Sequence, residues 1–245
     1  MSKKLADKIA VVTGASRGIG RATALRLAKE GAEVIVHYGT SKAAADEVVK
    51  IIEAFGGKAR AIQADLNDAK GAEKLAAQIE GPIDILVNNA GVAEYVSFAE
   101  TTEEQFDKQF NVNVKSLFFL TQKLASKIVD GGRIINISSV VARVNFDGIP
   151  AYSATKGAVN TLTVHLAALF GKRGITVNSI SPGAIETDMS SWLRSDEGEA
   201  TAKTIQAIPR VGRAEDIADA IAAVAGEDGR WITGQVIEVS GGTKL

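Results

Sequence analysis

Strand-like and helix-like stretches alternate along all 245 residues of this chain. That alternation, with short connections, predicts a doubly wound α/β fold: one mostly parallel sheet of about seven strands with helices on both faces. Two further observations agree. The strand candidates are short unbroken apolar runs, as expected of strands buried on both faces. Neither a linker nor a shift in composition divides the chain, so residues 1–245 read as one domain, and hydrophobic residues at 46% suffice for its core.

The first strand, Ile9 to Val12, runs into Thr13 and a glycine cluster ending at Gly20. The helix that follows places Gly20, Ala24, Leu27 and Ala28 on one face, small enough to lie close on the sheet, and ends at Gly31. A second strand, Val34 to His37, turns at Gly39-Thr40-Ser41, where Ser41 is the expected N-cap of a helix running to about Phe55. Gly56-Gly57 break the chain before a third strand, Ala59 to Gln63, and a helix over Lys70 to Ile79. Gly81-Pro82 introduce a fourth strand, Ile83 to Val87, closing on Asn88-Asn89-Ala90-Gly91. The second half reads as a helix from Glu103 to Lys127, a fifth strand over Ile134 to Ile137 and a helix from Tyr152 to Phe170. A sixth strand over Thr176 to Ile180, a mixed polar segment at 186–210, a helix from Ala214 to Ala225 and a last strand at Val236 to Val239 complete it.

Composition narrows the chemistry. A formal net charge of −1 without a basic block argues against nucleic acid as a partner. The absence of cysteine removes disulfides, thiolate nucleophiles and thiolate metal sites, and the two histidines, His37 and His165, form no ligand pattern, so no metal is expected. Met1 to Lys8 is polar and leads directly into the first strand, leaving no room for a signal peptide, and no run approaches the roughly 20 apolar residues of a membrane span. A soluble cytoplasmic protein is expected.

The function-bearing residues gather at strand ends. Gly14-x-x-x-Gly18-x-Gly20 stands between a strand and a helix N-terminus, whose unpaired N–H groups and positive dipole end suit a phosphate. Thr13-Gly14, Asp65, Asn88 to Gly91, Ser138-Ser139 and Pro182-Gly183 all follow strands, where a parallel sheet binds its ligands, and a dinucleotide is the expected one. Tyr152 and Lys156 are four apart at the start of a helix and share a face. An ammonium held beside the phenol would favour phenolate and let Tyr152 pass a proton near neutral pH. Ser139 could hold a substrate oxygen against that phenol.

These segments, in this order and spacing, resemble the short-chain dehydrogenase/reductase family over essentially the whole chain. The matching segments are Thr13 to Gly20, Asp65, Asn88 to Gly91, Asn113 in Val-Asn-Val, Ser139, Tyr152-x-x-x-Lys156 and Pro182-Gly183. The resemblance implies a Rossmann-type domain and a catalytic tetrad of Asn113, Ser139, Tyr152 and Lys156. Tyr152 would be the general acid, Ser139 would bond the carbonyl oxygen, and Lys156 would lower the Tyr152 pKa and hold the nicotinamide ribose. Asn113 would help anchor a water that feeds protons towards Lys156. The implied cofactor cleft takes Gly14, Ser16, Arg17, Gly18, Ile19 and Gly20 from the glycine turn, then Tyr38, Gly39, Thr40 and Ser41. Asp65, Leu66, Asn89, Ala90, Gly91, Tyr152, Lys156, Pro182, Gly183, Ile185 and Thr187 complete it.

No acid follows the second strand before Asp46, whereas Arg17 lies inside the glycine turn, where a guanidinium can reach an adenosine 2′-phosphate. NADP(H) is therefore the expected cofactor. The substrate is a carbonyl compound of open identity: a 3-oxoacyl thioester, a sugar, a steroid or a small ketone. Glu94, Val140 to Ala142, Asn145, Phe146, Ala184, Ile185 and the 186–210 segment would line its pocket. Lys127, Arg133, Lys172 and Arg173 either greet an acyl carrier or are solvated surface. A non-catalytic NADP(H)-binding sensor is the alternative to a reductase, as is an NAD-dependent dehydrogenase within the enzyme reading. The helix from Tyr152 to Phe170 is apolar nearly all round, which predicts burial against another subunit and a homotetramer, with a dimer as the lesser assembly.

Overall fold

The unbroken apolar runs are divided between two cores by the strand's own period of two. In β1 (Ile9–Val12), Ala10 and Val12 face one side while Val11 faces the other. The same split separates Val34 and Val36 from Ile35 in β2 (Glu33–Tyr38), and Ile85 and Val87 from Leu86 in β4 (Ile83–Asn88). The computed structural model describes residues 3–245; Met1 and Ser2, the start of the polar N-terminal segment, lie outside them.

The first core is closed by α1 (Gly18–Lys29), α2 (Lys42–Ala54) and α8 (Ala214–Ala225) through Leu27, Val48, Ile52, Ile217 and Ile221. The opposite face is covered by α3 (Gly71–Gln78), α5 (Ser116–Leu124) and α6 (Pro150–Phe170) through Leu75, Leu120, Leu124, Ala167 and Phe170. With β3 (Lys58–Gln63), β5 (Ile128–Ile137), β6 (Thr176–Pro182) and β7 (Val236–Val239), the seven strands pair in the order β3-β2-β1-β4-β5-β6-β7, every pair parallel. The expected seven-stranded doubly wound architecture is what forms. Successive strands build outward from β1 in one direction and then, from β4, in the other. That reversal leaves a crevice at the C-terminal ends of β1 and β4. Among the described residues no helix is long and apolar enough to cross a membrane.

Four local expectations are corrected. The helix expected over Glu103 to Lys127 is three pieces: α4 (Glu103–Phe110), a π-helical turn over Asn111–Lys115 and α5, which stops at Leu124. It stops early because β5 starts early. Ile128 already pairs with Ile83, and the chain then slips register so that Arg133 pairs with Ile85, with Gly131 at φ 78 in the irregular stretch between. Ser41 stands at the α2 N-cap position but makes no capping bond; its ψ of 72° falls short of the extended backbone that presents a cap hydroxyl. The mixed polar 186–210 segment, expected as a substrate loop, is largely helical. It holds a 3-10 stretch, Asp188–Arg194, and α7 (Asp196–Ile205), whose N-cap Ser195 accepts from the Gly198 N–H.

Candidate active site

The glycine turn is held from beneath by β4. Thr13 Oγ1 accepts from the backbone N–H groups of both Asn89 and Ala90 at 2.9 Å, and Asn89 Nδ2 donates to Thr13 O at 2.8 Å and Gly14 O at 3.2 Å. Gly14 and Gly18 take left-handed backbone (φ 62 and 54), which lets the chain fold back and start α1 at Gly18. Gly20 is required for space: a Cβ there would stand 2.3 Å from Gly14 O and 2.5 Å from Asn89 Nδ2. The α1 N-terminus has no side-chain cap and no acidic residue in its first turn. Its backbone donors and dipole therefore face the crevice free to meet an anion, as a dinucleotide's phosphates require. Arg17 extends beside it with its side chain 72% exposed, 3.8 Å from Asp188 Oδ2.

The four expected catalytic residues converge at the ends of β4 and β5. Lys156 is buried, and its Nζ donates to Ile137 O at 2.8 Å and lies 5.4 Å from the centre of the Tyr152 ring. Ser139 caps the short helical turn Val140–Ala142 and faces the Tyr152 phenol. Its neighbour Ser138 is buried and donates to Lys156 O at 3.2 Å, so of the two serines only Ser139 is presented to the crevice. Asn113 lies in the π turn with its amide fully engaged: Nδ2 donates to Val92 O (2.9 Å) and Thr155 Oγ1 (3.0 Å), and Oδ1 accepts from Val92 N (2.8 Å). Its side chain thus binds the loop after β4 to α6, and Thr155 in turn donates to Tyr152 O at 2.6 Å. Thr155 was not legible as a site residue; a buried threonine on a helix has no sequence signal of its own.

The electrostatics depart from the expectation for the free pair. Loss of solvent pushes the Tyr152 phenol above its ordinary range, the neighbouring Tyr95 adds to this, and the Ser139 hydroxyl opposes it. Burial lowers the Lys156 ammonium to about 8. Burial of the phenol thus outweighs the ammonium 5.4 Å from its ring centre, whose Nζ is turned to Ile137 O, and the balance lies toward the protonated form. Gly91 lies beside both Asn113 and Lys156: a Cβ there would stand 3.3 Å from Asn113 Oδ1 and 3.7 Å from Lys156 Nζ.

Residues 14–244 match the family profile described as enoyl-(acyl carrier protein) reductase. An uncharacterised oxidoreductase of Methylorubrum extorquens is 45% identical, the match covering 98% of this chain and 99% of that protein. A short-chain type dehydrogenase/reductase of Picea abies is 38% identical across 97% of this chain and 93% of its own. This chain belongs to the short-chain dehydrogenase/reductase family. Among solved structures, the angucycline C-6 ketoreductase LanV with bound NADP superposes with a TM-score of 0.95 at 41% identity, covering 99% of this chain and 97% of that one.

In this short-chain dehydrogenase/reductase the remaining expected cofactor residues end or follow β2, β3 and β6. Tyr38 ends β2, buried, with Gly39, Thr40 and Ser41 beyond it. Asp65 is exposed past β3 and accepts from the Asn67 N–H at 2.9 Å, while Leu66 is buried. Pro182 ends β6, and Gly183 makes room for the C-terminal segment, where a Cβ would meet Thr243 Oγ1 at 2.6 Å. Ile185 bridges to Gly212, and Thr187 reaches over the glycine turn, its Cγ2 3.4 Å from where a Gly18 Cβ would be.

The substrate side changes in two respects. Glu94 is tied to Lys108 of α4 at 2.6 Å. Three of the four basic residues offered to an acyl carrier are engaged within the chain. Lys127 donates to Ala76 O and Ile79 O at the end of α3, buried Arg133 to Gly131 O, Gly132 O and Gly226 O, and Arg173 to Ala125 O, Ile128 O and Asp130. Through these bonds they brace the fold.

Proposed function

We propose that this chain is an NADP(H)-dependent ketone reductase, working in reverse as an alcohol dehydrogenase when the reactants favour it. The observation that carries the reading is the meeting of Ser139, the Tyr152 phenol and the buried Lys156 beside the uncapped α1 N-terminus. The NADP named with LanV and the ketone reduction that protein is named for agree with it.

The cofactor's phosphates would rest on the N–H groups at Gly18 to Gly20, with Arg17 reaching the 2′-phosphate and Thr40 and Ser41 beside it. The adenine would meet Asp65 and Leu66, and the backbone at Asn89 to Gly91 would flank the adenosine. Lys156 would bond the nicotinamide ribose, and Pro182, Gly183, Ile185 and Thr187 would close over the nicotinamide. When bound, NADPH supplies the hydride. Ser139 holds the substrate oxygen by a hydrogen bond, and Tyr152 gives that oxygen its phenolic proton, so that C=O becomes CH–OH. Lys156 holds its positive charge next to the phenol as the proton leaves. Asn113 and Thr155 act at one remove by fixing α6 against the loop after β4.

The reading extends to assembly. α6 leaves Val164 and Leu169 exposed, α4 leaves Phe106, and Phe98 on the preceding loop is 86% exposed. A cavity of about 480 Å³ lined by Phe98, Phe106, Pro150 and Ala154 opens between α4 and the start of α6. We infer that a second copy covers this face across a two-fold axis, within a homotetramer. Incubating the protein with NADPH and a panel of ketones, keto esters and acyl thioesters, while following absorbance of the reduced nicotinamide, tests the function. Consumption with ketones supports it; no consumption with any member, despite tight NADPH binding, would leave the sensor alternative.

A further inference from the structure

His37 has no part in the chemistry above, yet both of its ring nitrogens and its carbonyl are engaged at the glycine turn and β3. It is buried on β2, on the face shared with Ile35. Its Nδ1 lies 3.1 Å from the Gly14 backbone nitrogen, which can only donate, so Nδ1 carries a lone pair. Its Nε2 lies 3.0 Å from Ala64 O, which can only accept, so Nε2 carries the proton. The two contacts leave one species, the neutral Nε2–H tautomer. The His37 carbonyl takes the next amide, Ala15 N–H, at 2.8 Å. A single residue thus holds both amides at the head of the glycine turn, one of them on a left-handed glycine.

We propose that His37 is a positioning residue whose neutral imidazole pins Gly14, and that its protonation releases the glycine turn and with it the dinucleotide. An imidazolium would set an N–H against the Gly14 N–H, two donors facing each other. The proposal rests on reading the glycine turn as the NADP(H) site. No ionisable neighbour offsets it: the turn after β1 presents Thr13 and Gly14, β3 presents Ile62 with Ala64 just beyond it, and the α3 side carries its charges outward on exposed Glu73 and on Lys74 paired with Asp68. Asp65, next along from Ala64, is exposed and engaged with Asn67. Burial accordingly holds the ring below its ordinary 6.5, and release belongs to the acid side of that value.

The test compares NADP⁺ affinity, by calorimetric titration, for the natural protein and His37→Asn from about pH 8 to about pH 5. Asparagine puts Oδ1 where Nδ1 stands, an acceptor that does not titrate. The ligand's own 2′-phosphate titrates in both experiments and cancels in the ratio of dissociation constants. That ratio should climb in acid, approaching about tenfold per pH unit below the ring's pKa, and a ratio flat with pH overturns the proposal. A second arm needs no ligand: ¹⁵N spectra of the ring nitrogens, with His165→Asn to assign the other histidine. A neutral Nε2–H ring that titrates together with loss of Gly14 amide protection supports the proposal, and an Nδ1–H ring refutes it. If NADP⁺ binds at no pH, the cofactor reading fails, and the spectra still decide the role of His37.

Discussion

Gly20→Ala sets two effects of opposite sign against each other. Alanine in place of a helical glycine stabilises by about 1 kcal/mol from backbone entropy. Here the added methyl would stand 2.3 Å from Gly14 O and 2.5 Å from Asn89 Nδ2, and the first of these is backbone on a left-handed residue. The turn has to move by nearly an ångström, which as overpacking costs about 1–3 kcal/mol. The Asn89 bond to Gly14 O goes with it, about 1 kcal/mol more. The clash wins, leaving a net loss of roughly 1–3 kcal/mol, or about 2–10 °C in Tm for a chain of this size. NADPH affinity should fall as well, since the displaced backbone is the surface proposed to hold the phosphates. Thermal denaturation and fluorescence titration with NADPH check both. An alanine variant with unchanged Tm and unchanged affinity would refute the tight turn as the element that shapes the site.

Arg17→Ala should cost NADPH about 1.5–3 kcal/mol, roughly 10–100-fold in affinity, while leaving NADH binding nearly unchanged; an intact preference for NADPH would remove Arg17 from the 2′-phosphate. Lys156→Met should abolish turnover yet stabilise the unliganded fold. An ammonium lowered from 10.5 to about 8 is bound more weakly in the folded state, so the natural protein gains stability as pH rises from about 8 to about 10.5. Removing the charge relieves about 3 kcal/mol at neutral pH, against about 1 kcal/mol for the lost bond to Ile137 O. A methionine variant no more stable at pH 7, in urea titrations, would contradict the burial penalty. Leu169→Glu should split the proposed tetramer, and sedimentation velocity would show it; a natural protein that already sediments as a monomer would end that reading.

The sheet was legible because its strands are buried on both faces, so unbroken runs such as Val34–Val36 have no other explanation. The expected cleft drew on Gly14, Gly20, Asn89 and Tyr152 standing at strand ends and helix starts, and on the family resemblance that their order and spacing carry. What the residues could not reveal depends on contacts between distant segments. The π turn at Asn111–Lys115 looks in sequence like ordinary helix; it shows only through the bonds of Asn113 to Val92 and Thr155. The state of Tyr152 could not be read from its spacing to Lys156, because helical proximity does not say where Nζ points. Lys127, Arg133 and Arg173 read as surface charge until their carbonyl partners, up to 93 residues away, were in place.

The central claim is that this site moves hydride to a ketone carbon while Tyr152 supplies the proton. A single-turnover reaction with NADPH deuterated at nicotinamide C4, with a ketone from the panel and mass spectrometry of the alcohol, measures the first half; the same reaction with Tyr152→Phe measures the second. The natural protein should place one deuterium on the carbinol carbon. The phenylalanine variant should bind NADPH within about twofold of the natural protein but react at least about 100-fold more slowly, the usual share of a general acid. Alcohol free of deuterium, or a phenylalanine variant that reacts at the natural rate, would contradict it.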